Sequence, residues 1–483
     1  MQKSIFKNTL LKMFLSLFNI AVPLVIGPYV ARLFDRELYG RYNDALTIIS
    51  ILIPIAGFGI YNYGIRTISR IREDKEKTSR LFTILFGIGV LTNLIGFGLF
   101  VLYFTRMREN ADFAIYVALS IQIPANIFLT EWMNEAYENY SFIMTKTVIV
   151  RVFYVASVFL FVKEPDDVAI YALLLSLSNL INNFISFLYL KTKIKFFFSI
   201  RLSEISSIVK SLFCLVLISN SGLLYTQLDR LFLSRFGGPV INVSYYVLSQ
   251  TLFDTLMSII TPIIFVSIAR LSKFLSESNQ AEYLRLQEKS SRTFLLIAFP
   301  MSIGTAMMGT FIMQFYGGYQ YADAGPVLSA FALRGFIRCI EIILSNQVLY
   351  LHGQERLIMR LMFFGGMINL VLNYCLTIEQ AVTPENLVAT TAFAEAVLVF
   401  FEYRTVKSLY PQFSLFSTGC RYYLLFSLCF LPIRRGVSLL GLRFAADGLL
   451  TVGLCIGFYF IMLYAVKDGI VREYADAARK KLG

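Results

Sequence analysis

The chain has 483 residues, of which 57% are hydrophobic and only 16% are charged, whereas an average soluble domain carries about 25% charged residues. This composition excludes an ordinary soluble protein. The net charge of +13 would suit an acidic partner such as nucleic acid, but the apolar segments leave no basic domain to bind one. The function is therefore expected to lie within the membrane.

Apolar stretches of about 20 residues, long enough to cross a bilayer, recur along the whole chain. The pattern predicts an all-α polytopic membrane protein, and the short connections exclude a soluble catalytic domain. The sequence predicts about 14 transmembrane helices at residues 10–33, 43–64, 81–104, 112–134, 148–162, 168–190, 211–233, 244–268, 293–316, 326–350, 358–378, 387–406, 420–433 and 446–466.

Lysines and arginines are distributed unequally over the two sides of the predicted membrane. When Arg32, Arg151, Arg230, Arg334 and Arg338 are left out, 30 lie on the side that holds the N-terminus and 9 on the other. Because cytoplasmic loops carry the excess of Lys and Arg, both termini are expected in the cytoplasm.

The two halves of the chain repeat each other weakly, with an offset of about 200 to 220 residues. ARLF at 31–34 corresponds to DRLF at 229–232, and Pro54 and Pro262 each precede a basic segment. Six spans per copy give parallel repeats. We therefore expect two pseudo-symmetric six-helix lobes, residues 1–200 and 201–410, around a central cavity. Two extra transmembrane helices and a cytoplasmic tail follow at 411–483.

Four arginines within the predicted spans are candidates for binding an anion such as a diphosphate: Arg32, Arg230, Arg334 and Arg338. A charge inside the bilayer costs about 2.5–3.5 kcal/mol, so such residues are expected to face protein or water. Guanidinium groups offer forked donors to phosphate. The alternative is internal ion pairing, for example of Arg338 with Glu341 or of Arg230 with Asp229.

Other polar residues lie at helical spacing within the spans. Asn126 and Gln250 are candidates for contacting a hydroxyl-rich cargo, although such side chains also hold neighbouring helices together. Asp254 and Glu341 are candidates for coupling transport to H⁺ or Na⁺. In the first span, Pro23, Gly27 and Pro28 are expected to bend the helix and to form either a hinge or a static kink.

No enzyme signature is present in the sequence. The single histidine, His352, lies in a short loop, and no phosphate-binding loop, catalytic triad or metal-ligand spacing occurs. The sequence therefore predicts no ATP hydrolysis, no cofactor and no metal site, with H⁺ or Na⁺ as the possible coupling ion.

Three sequence blocks resemble the polysaccharide transporter family, the bacterial oligosaccharide-lipid flippases of the multidrug/oligosaccharidyl-lipid/polysaccharide exporter superfamily. They are PLVIGPYVARLFDRELYGRYN at 23–43, FGIYNYGIRTISRIREDKEK at 58–77 and YTQLDRLFLSRFGGPVINVSYY at 225–246, with support from FPMSIGTAMMGTFIMQFYGGYQYADAG at 299–325. The family usually has a Leu-Gly pair where this chain has Phe34 and Asp35, so its tight turn is not expected here.

The resemblance implies a flippase in the bacterial cytoplasmic membrane. It would translocate undecaprenyl-diphosphate-linked oligosaccharide repeat units by alternating access, for surface polysaccharide of the capsule or O-antigen type, with polysaccharide polymerase machinery as a partner. The four arginines are the positions that would supply the family's cationic cavity.

A cation-coupled multidrug or small-molecule exporter of the same superfamily is the alternative function. A glycan polymerase or ligase is a third possible function, which the short outer loops disfavour.

Overall fold

The computed structural model describes residues 2–105, 112–197, 202–219, 222–414, 418–473 and 476, and within these ranges all regular structure is helical. Among the described residues, nine helical segments are long and apolar enough to cross a membrane. A tenth candidate is a pair of helices bent by 79° at Met308. The prediction of an all-α polytopic membrane protein is confirmed.

Contacts divide the chain into two units, Met1–Ser244 and Tyr245–Gly483. The predicted boundaries at residues 200 and 410 stay predictions. The first unit contains α1 (Gln2–Leu33), α2 (Arg36–Ala56), α3 (Ile60–Ile71), α4 (Lys75–Thr105), α5 (Phe113–Ser120), α6 (Gln122–Ile127), α7 (Glu131–Ala136), α8 (Tyr140–Phe161), α9 (Val168–Lys191), α10 (Leu202–Ser219) and α11 (Leu223–Phe236).

Helix α12 (Ile241–Ile260) begins in the first unit and continues into the second. The second unit also contains a 3₁₀ turn at Tyr319–Ala324 and a π-helical turn at Leu344–Leu349. Its other helices are α13 (Pro262–Ser276), α14 (Gln280–Met307), α15 (Gly309–Gly317), α16 (Gly325–Ile343), α17 (Glu355–Ile378), α18 (Pro384–Leu409), α19 (Thr418–Leu428), α20 (Phe430–Ser438) and α21 (Phe444–Ala465).

The predicted hinge lies inside α1. Pro23, Gly27 and Pro28 remove or weaken helical hydrogen bonds, yet α1 runs without interruption to Leu33. The Tyr29 hydroxyl donates to the carbonyl of Val162 at 2.6 Å and fixes this part of α1 to the end of α8. Whether the three residues act as a hinge stays a prediction.

Each unit contains a long helix that is broken beside a proline and continued by a shorter one. Helix α2 contains Pro54 and ends before Phe58 and Gly59, whose φ angles of 49° and 69° prevent the helix from continuing. Helix α12 ends at Ile260, and Pro262 is the first residue of α13. These are the two prolines on which the predicted internal repeat depends.

The second unit is organised around α14, which packs against α13, α16 and α19. The C-terminal helices are attached to it by polar contacts. Arg292 Nη2 lies 2.9 Å from Asp468 Oδ2, which also accepts from the Tyr423 hydroxyl at 3.0 Å. The Tyr459 hydroxyl donates to the Leu296 carbonyl at 2.8 Å. Helices α19 and α21 are therefore part of this unit.

Four predicted spans are absent from the continuous apolar helices. Three of them, 112–134, 211–233 and 420–433, correspond to α5–α7, α10–α11 and α19–α20 and are divided into shorter pieces. The fourth, 326–350, corresponds to α16, which carries three charged residues, and the π-helical turn that follows it. Broken helices are common where a transporter lines a polar interior, so the count of 14 stays a prediction.

Candidate functional site

The second unit contains a cluster of charged side chains from α12, α16 and α18, within segments that are otherwise apolar. At its centre, Arg334 of α16 forms a two-pronged ion pair with Glu395 of α18. Nε lies 2.8 Å from Oε2 and Nη2 lies 2.6 Å from Oε1, and the two side chains are only 10% and 5% exposed. The guanidinium edge formed by Nε and Nη2 is thereby occupied by the carboxylate.

Arg338 lies one helical turn after Arg334 and is much more accessible. Its Nη1 lies 2.6 Å from Glu341 Oε2, and the arginine side chain is 44% exposed while the glutamate is 11% exposed. Asp254 of α12 is exposed and interacts electrostatically with Arg338. Of the two arginines, Arg338 is the one that an anion can reach without breaking a buried two-pronged pair.

The first unit contains a pair of buried amides beside a cavity. The Asn126 amide donates to Asn93 Oδ1 at 2.9 Å. Both line a cavity of about 280 Å³ beside the break between α2 and α3, together with Tyr61, Thr130 and Trp132. The Thr130 hydroxyl is buried there without a hydrogen-bond partner among the described residues. The amides and the Thr130 hydroxyl of this cavity offer hydrogen bonds to a hydroxyl-bearing group.

One buried ion pair lies close to this cavity. The Lys146 ammonium of α8 contacts the Glu131 carboxylate of α7 and donates to Ser186 Oγ of α9 at 2.6 Å. The lysine side chain is 2% exposed and the glutamate 17%. This pair joins three helices of the first unit.

The remaining predicted residues are placed as follows. Arg32 is exposed at the end of α1, and Arg230 is half-buried on α11. Gln250 is buried on α12. The structure brings Arg334, Arg338, Glu341 and Asp254 together in the second unit. The pairing of Arg338 with Glu341, considered above as the alternative to anion binding, is formed, whereas the anion and ion-coupling roles stay predictions.

Two members of these clusters were not identified from the sequence. Lys146 was assigned to a loop because the predicted span begins at residue 148, but α8 starts at Tyr140 and carries the lysine into the helix bundle. Glu402 of α18 lies seven residues after Glu395, the spacing of two helical turns on one face. That spacing is the signal that would have identified the acidic face of α18.

The fold belongs to a known class of polytopic transporters. It is similar to the lipid II flippase MurJ in an inward closed conformation, with a TM-score of 0.71 and 15% identity, covering 95% of this chain and 99% of that one. It is also similar to an inward-facing multidrug resistance MATE family transporter of the MOP superfamily. There the TM-score is 0.60 and the identity 12%, covering 81% of this chain and 96% of that one. At such identities the similarity shows the fold alone.

Sequence comparison identifies the family. The family model described as polysaccharide biosynthesis protein matches residues 5–275, and the chain belongs to this family. A candidate O-antigen transporter of Shigella dysenteriae is 21% identical over 402 residues, covering 83% of this chain and all of that protein. A candidate O-antigen transporter of Escherichia coli K12 is 21% identical over 396 residues, covering 79% and 93%.

These results confirm the predicted membership of the polysaccharide transporter family. The relatives described here are named as transporters or flippases, so the chain is placed among transporters rather than enzymes. It is a multi-pass membrane protein.

Proposed function

We propose that this protein is a flippase that moves undecaprenyl-diphosphate-linked oligosaccharide repeat units across the bacterial cytoplasmic membrane by alternating access. Family membership is the main support, because the matched family acts in polysaccharide biosynthesis and the curated relatives are candidate O-antigen transporters. The product would be a surface polysaccharide of the O-antigen or capsule type. Polymerase machinery is the expected partner, and both termini are expected in the cytoplasm.

The observation in the structure that best supports this activity is the accessible Arg338 guanidinium within an apolar helix. A diphosphate offers oxygens in the geometry that a guanidinium binds with two parallel hydrogen bonds. Arg334 would support this contact indirectly, since Glu395 holds it in place. Arg32 and Arg230 stay candidates for contacts to the same anion, and Asn126 and Gln250 for contacts to the sugar.

Binding of the anion at Arg338 has a consequence for Glu341. The diphosphate would compete for the guanidinium that now pairs with this carboxylate at 2.6 Å. A carboxylate that is 11% exposed and has lost its counter-charge is strongly destabilised, so it would take up H⁺ or Na⁺. Glu341 and the nearby Asp254 are therefore the proposed coupling residues, and no further cofactor is proposed.

The test is to deplete the protein in its host and to ask on which face the lipid-linked saccharides accumulate. We expect single repeat units that a lectin cannot reach on intact protoplasts. Single units accumulating on the outer face would contradict the proposal and would favour a defect in polymerisation. Unchanged saccharides with a loss of drug efflux would favour the cation-coupled exporter.

Complementation tests the role of the arginine. Arg338→Gln should lower flipping about tenfold or more, because hydrogen bonds to charged groups contribute about 1.5–3 kcal/mol. Arg338→Lys should restore part of it. Arg356→Gln, at an exposed arginine at the start of α17, is the matched control and should flip at the normal rate. Normal flipping by Arg338→Gln at equal membrane abundance would refute the assignment of Arg338.

A further inference from the structure

Helix α18 carries a second buried glutamate, Glu402, whose surroundings differ from those of Glu395. Its side chain is fully buried. Oε1 accepts a hydrogen bond from the Ser345 hydroxyl at 2.5 Å, while Oε2 is buried with no hydrogen-bond partner among the described residues. In the part of the chain that the structure describes, Glu395 is ion-paired with Arg334 and Glu402 forms no ion pair.

Burial makes this difference chemically important. An ionised carboxylate without a counter-charge in an apolar interior is far more costly than a neutral carboxyl group, even one with an unsatisfied polar atom. One hydroxyl donor does not replace the two charged donors that Glu395 receives from Arg334. The environment of Glu402 therefore suits a protonated side chain.

The charged groups around Glu402 link its protonation state to the cluster that contains Arg338 and Glu341. Among the described residues, Glu402 interacts electrostatically with Glu341 and Arg338 of α16. Arg338 now bonds to Glu341 and is 44% exposed, so its guanidinium has room to change partners. Any step that moves Arg338 therefore changes the balance between the protonated and ionised forms of Glu341 and of Glu402.

The π-helical turn connects Glu402 to the rest of the unit. This turn supplies Ser345 to Glu402 and, two residues later, Gln347 to a buried network. Gln347 Nε2 donates to Ser267 of α13 at 2.7 Å and to Ser290 of α14 at 2.8 Å. Short π-helical segments are frequent at functional sites. A change in the Ser345 contact therefore acts on the turn that links α16, α13 and α14.

We propose that Glu402 is a proton-binding site of this transporter, protonated in the conformation described here and deprotonated when Arg338 moves from Glu341 to Glu402. The proton passes from the carboxyl group to water, and no other reactant is needed. Its use in coupling rests on the proposed flippase function, whereas proton binding itself does not.

Infrared spectroscopy of the purified full-length protein in lipid measures the proton directly. The band of protonated carboxyl groups at neutral pH should lose intensity in Glu402→Gln, which retains the size of the side chain and an acceptor for Ser345. Glu379→Gln, at an exposed position after α17, is the matched control and should leave the band unchanged. An identical band in wild type and Glu402→Gln would overturn the proposal.

Flipping in proteoliposomes under an imposed pH gradient tests the coupling. Wild type and Glu379→Gln should respond to the gradient, and Glu402→Gln should flip at a rate independent of it. A normal gradient response in Glu402→Gln would overturn the coupling role, because a purely structural glutamate would leave that response intact. If no variant flips but the infrared band still depends on Glu402, the flippase assignment fails while the proton site stands.

Discussion

In the first unit, Lys146 contacts one carboxylate, Glu131, and the hydroxyl of Ser186. In the described part of the second unit, two guanidinium groups interact with four carboxyl groups: Asp254, Glu341, Glu395 and Glu402. The first arrangement pairs one cation with one carboxylate and serves to join helices. The second includes the fully buried Glu402, which forms no ion pair among the described residues. A buried carboxyl group without a counter-charge is stable only in its neutral form, so we look for proton coupling in the second unit.

The largest expected effect comes from unbalancing the pair in the first unit. Lys146→Met leaves Glu131 without its cation and should destabilise the protein by about 3–5 kcal/mol. The chain's single tryptophan, Trp132, follows Glu131 and reports thermal unfolding of this region by its fluorescence. The double variant Lys146→Met, Glu131→Gln should recover most of the loss. A double variant as unstable as the single one would contradict the role of the ion pair.

A smaller and unequal effect is expected from the two arginines of the second unit. Arg334→Gln leaves the 5% exposed Glu395 without its partner and should destabilise the protein by about 3 kcal/mol. Arg338→Gln should lower stability by less, about 1 kcal/mol, because Arg338 is 44% exposed and the Glu341 carboxyl group can take up H⁺ when its counter-charge is lost. Thermal unfolding in detergent measures both. Equal losses would mean that Arg338 is as firmly held as Arg334 and would weaken the case for anion binding there.

The sequence predicted the features that depend on residues close to one another along the chain. Apolar length predicted the membrane helices, and spacing identified the pairing of Arg338 with Glu341, three residues apart on α16. Arg334 and Glu395 are 61 residues apart on different helices, so no periodicity connects them. Their pairing depends on how α16 packs against α18, which requires the tertiary structure.

Helix boundaries account for the other differences. The apolar run that predicted the fifth span begins after Lys146, because a charge lowers the hydropathy of any window that contains it. In the structure the lysine belongs to α8, since Glu131 and Ser186 supply its partners from neighbouring helices. The interruption at Phe128–Thr130 and the π-helical turn at Leu344–Leu349 were not predicted either, because neither segment contains proline or glycine.

The smallest effects are expected from substitution of Ser345 and Ser186, the two serines that contact glutamates inside the helix bundles. Ser345→Ala removes the described hydrogen bond to Glu402, whereas Ser186→Ala leaves Glu131 paired with Lys146. Each substitution should cost about 1 kcal/mol at neutral pH. If Glu402 binds a proton, Ser345→Ala should also change the pH dependence of its infrared band, because the hydroxyl helps to stabilise the ionised form. Ser186→Ala should leave that band unaltered. An equal change in both variants would show that the carboxyl band reports general loosening of the protein and not the state of Glu402.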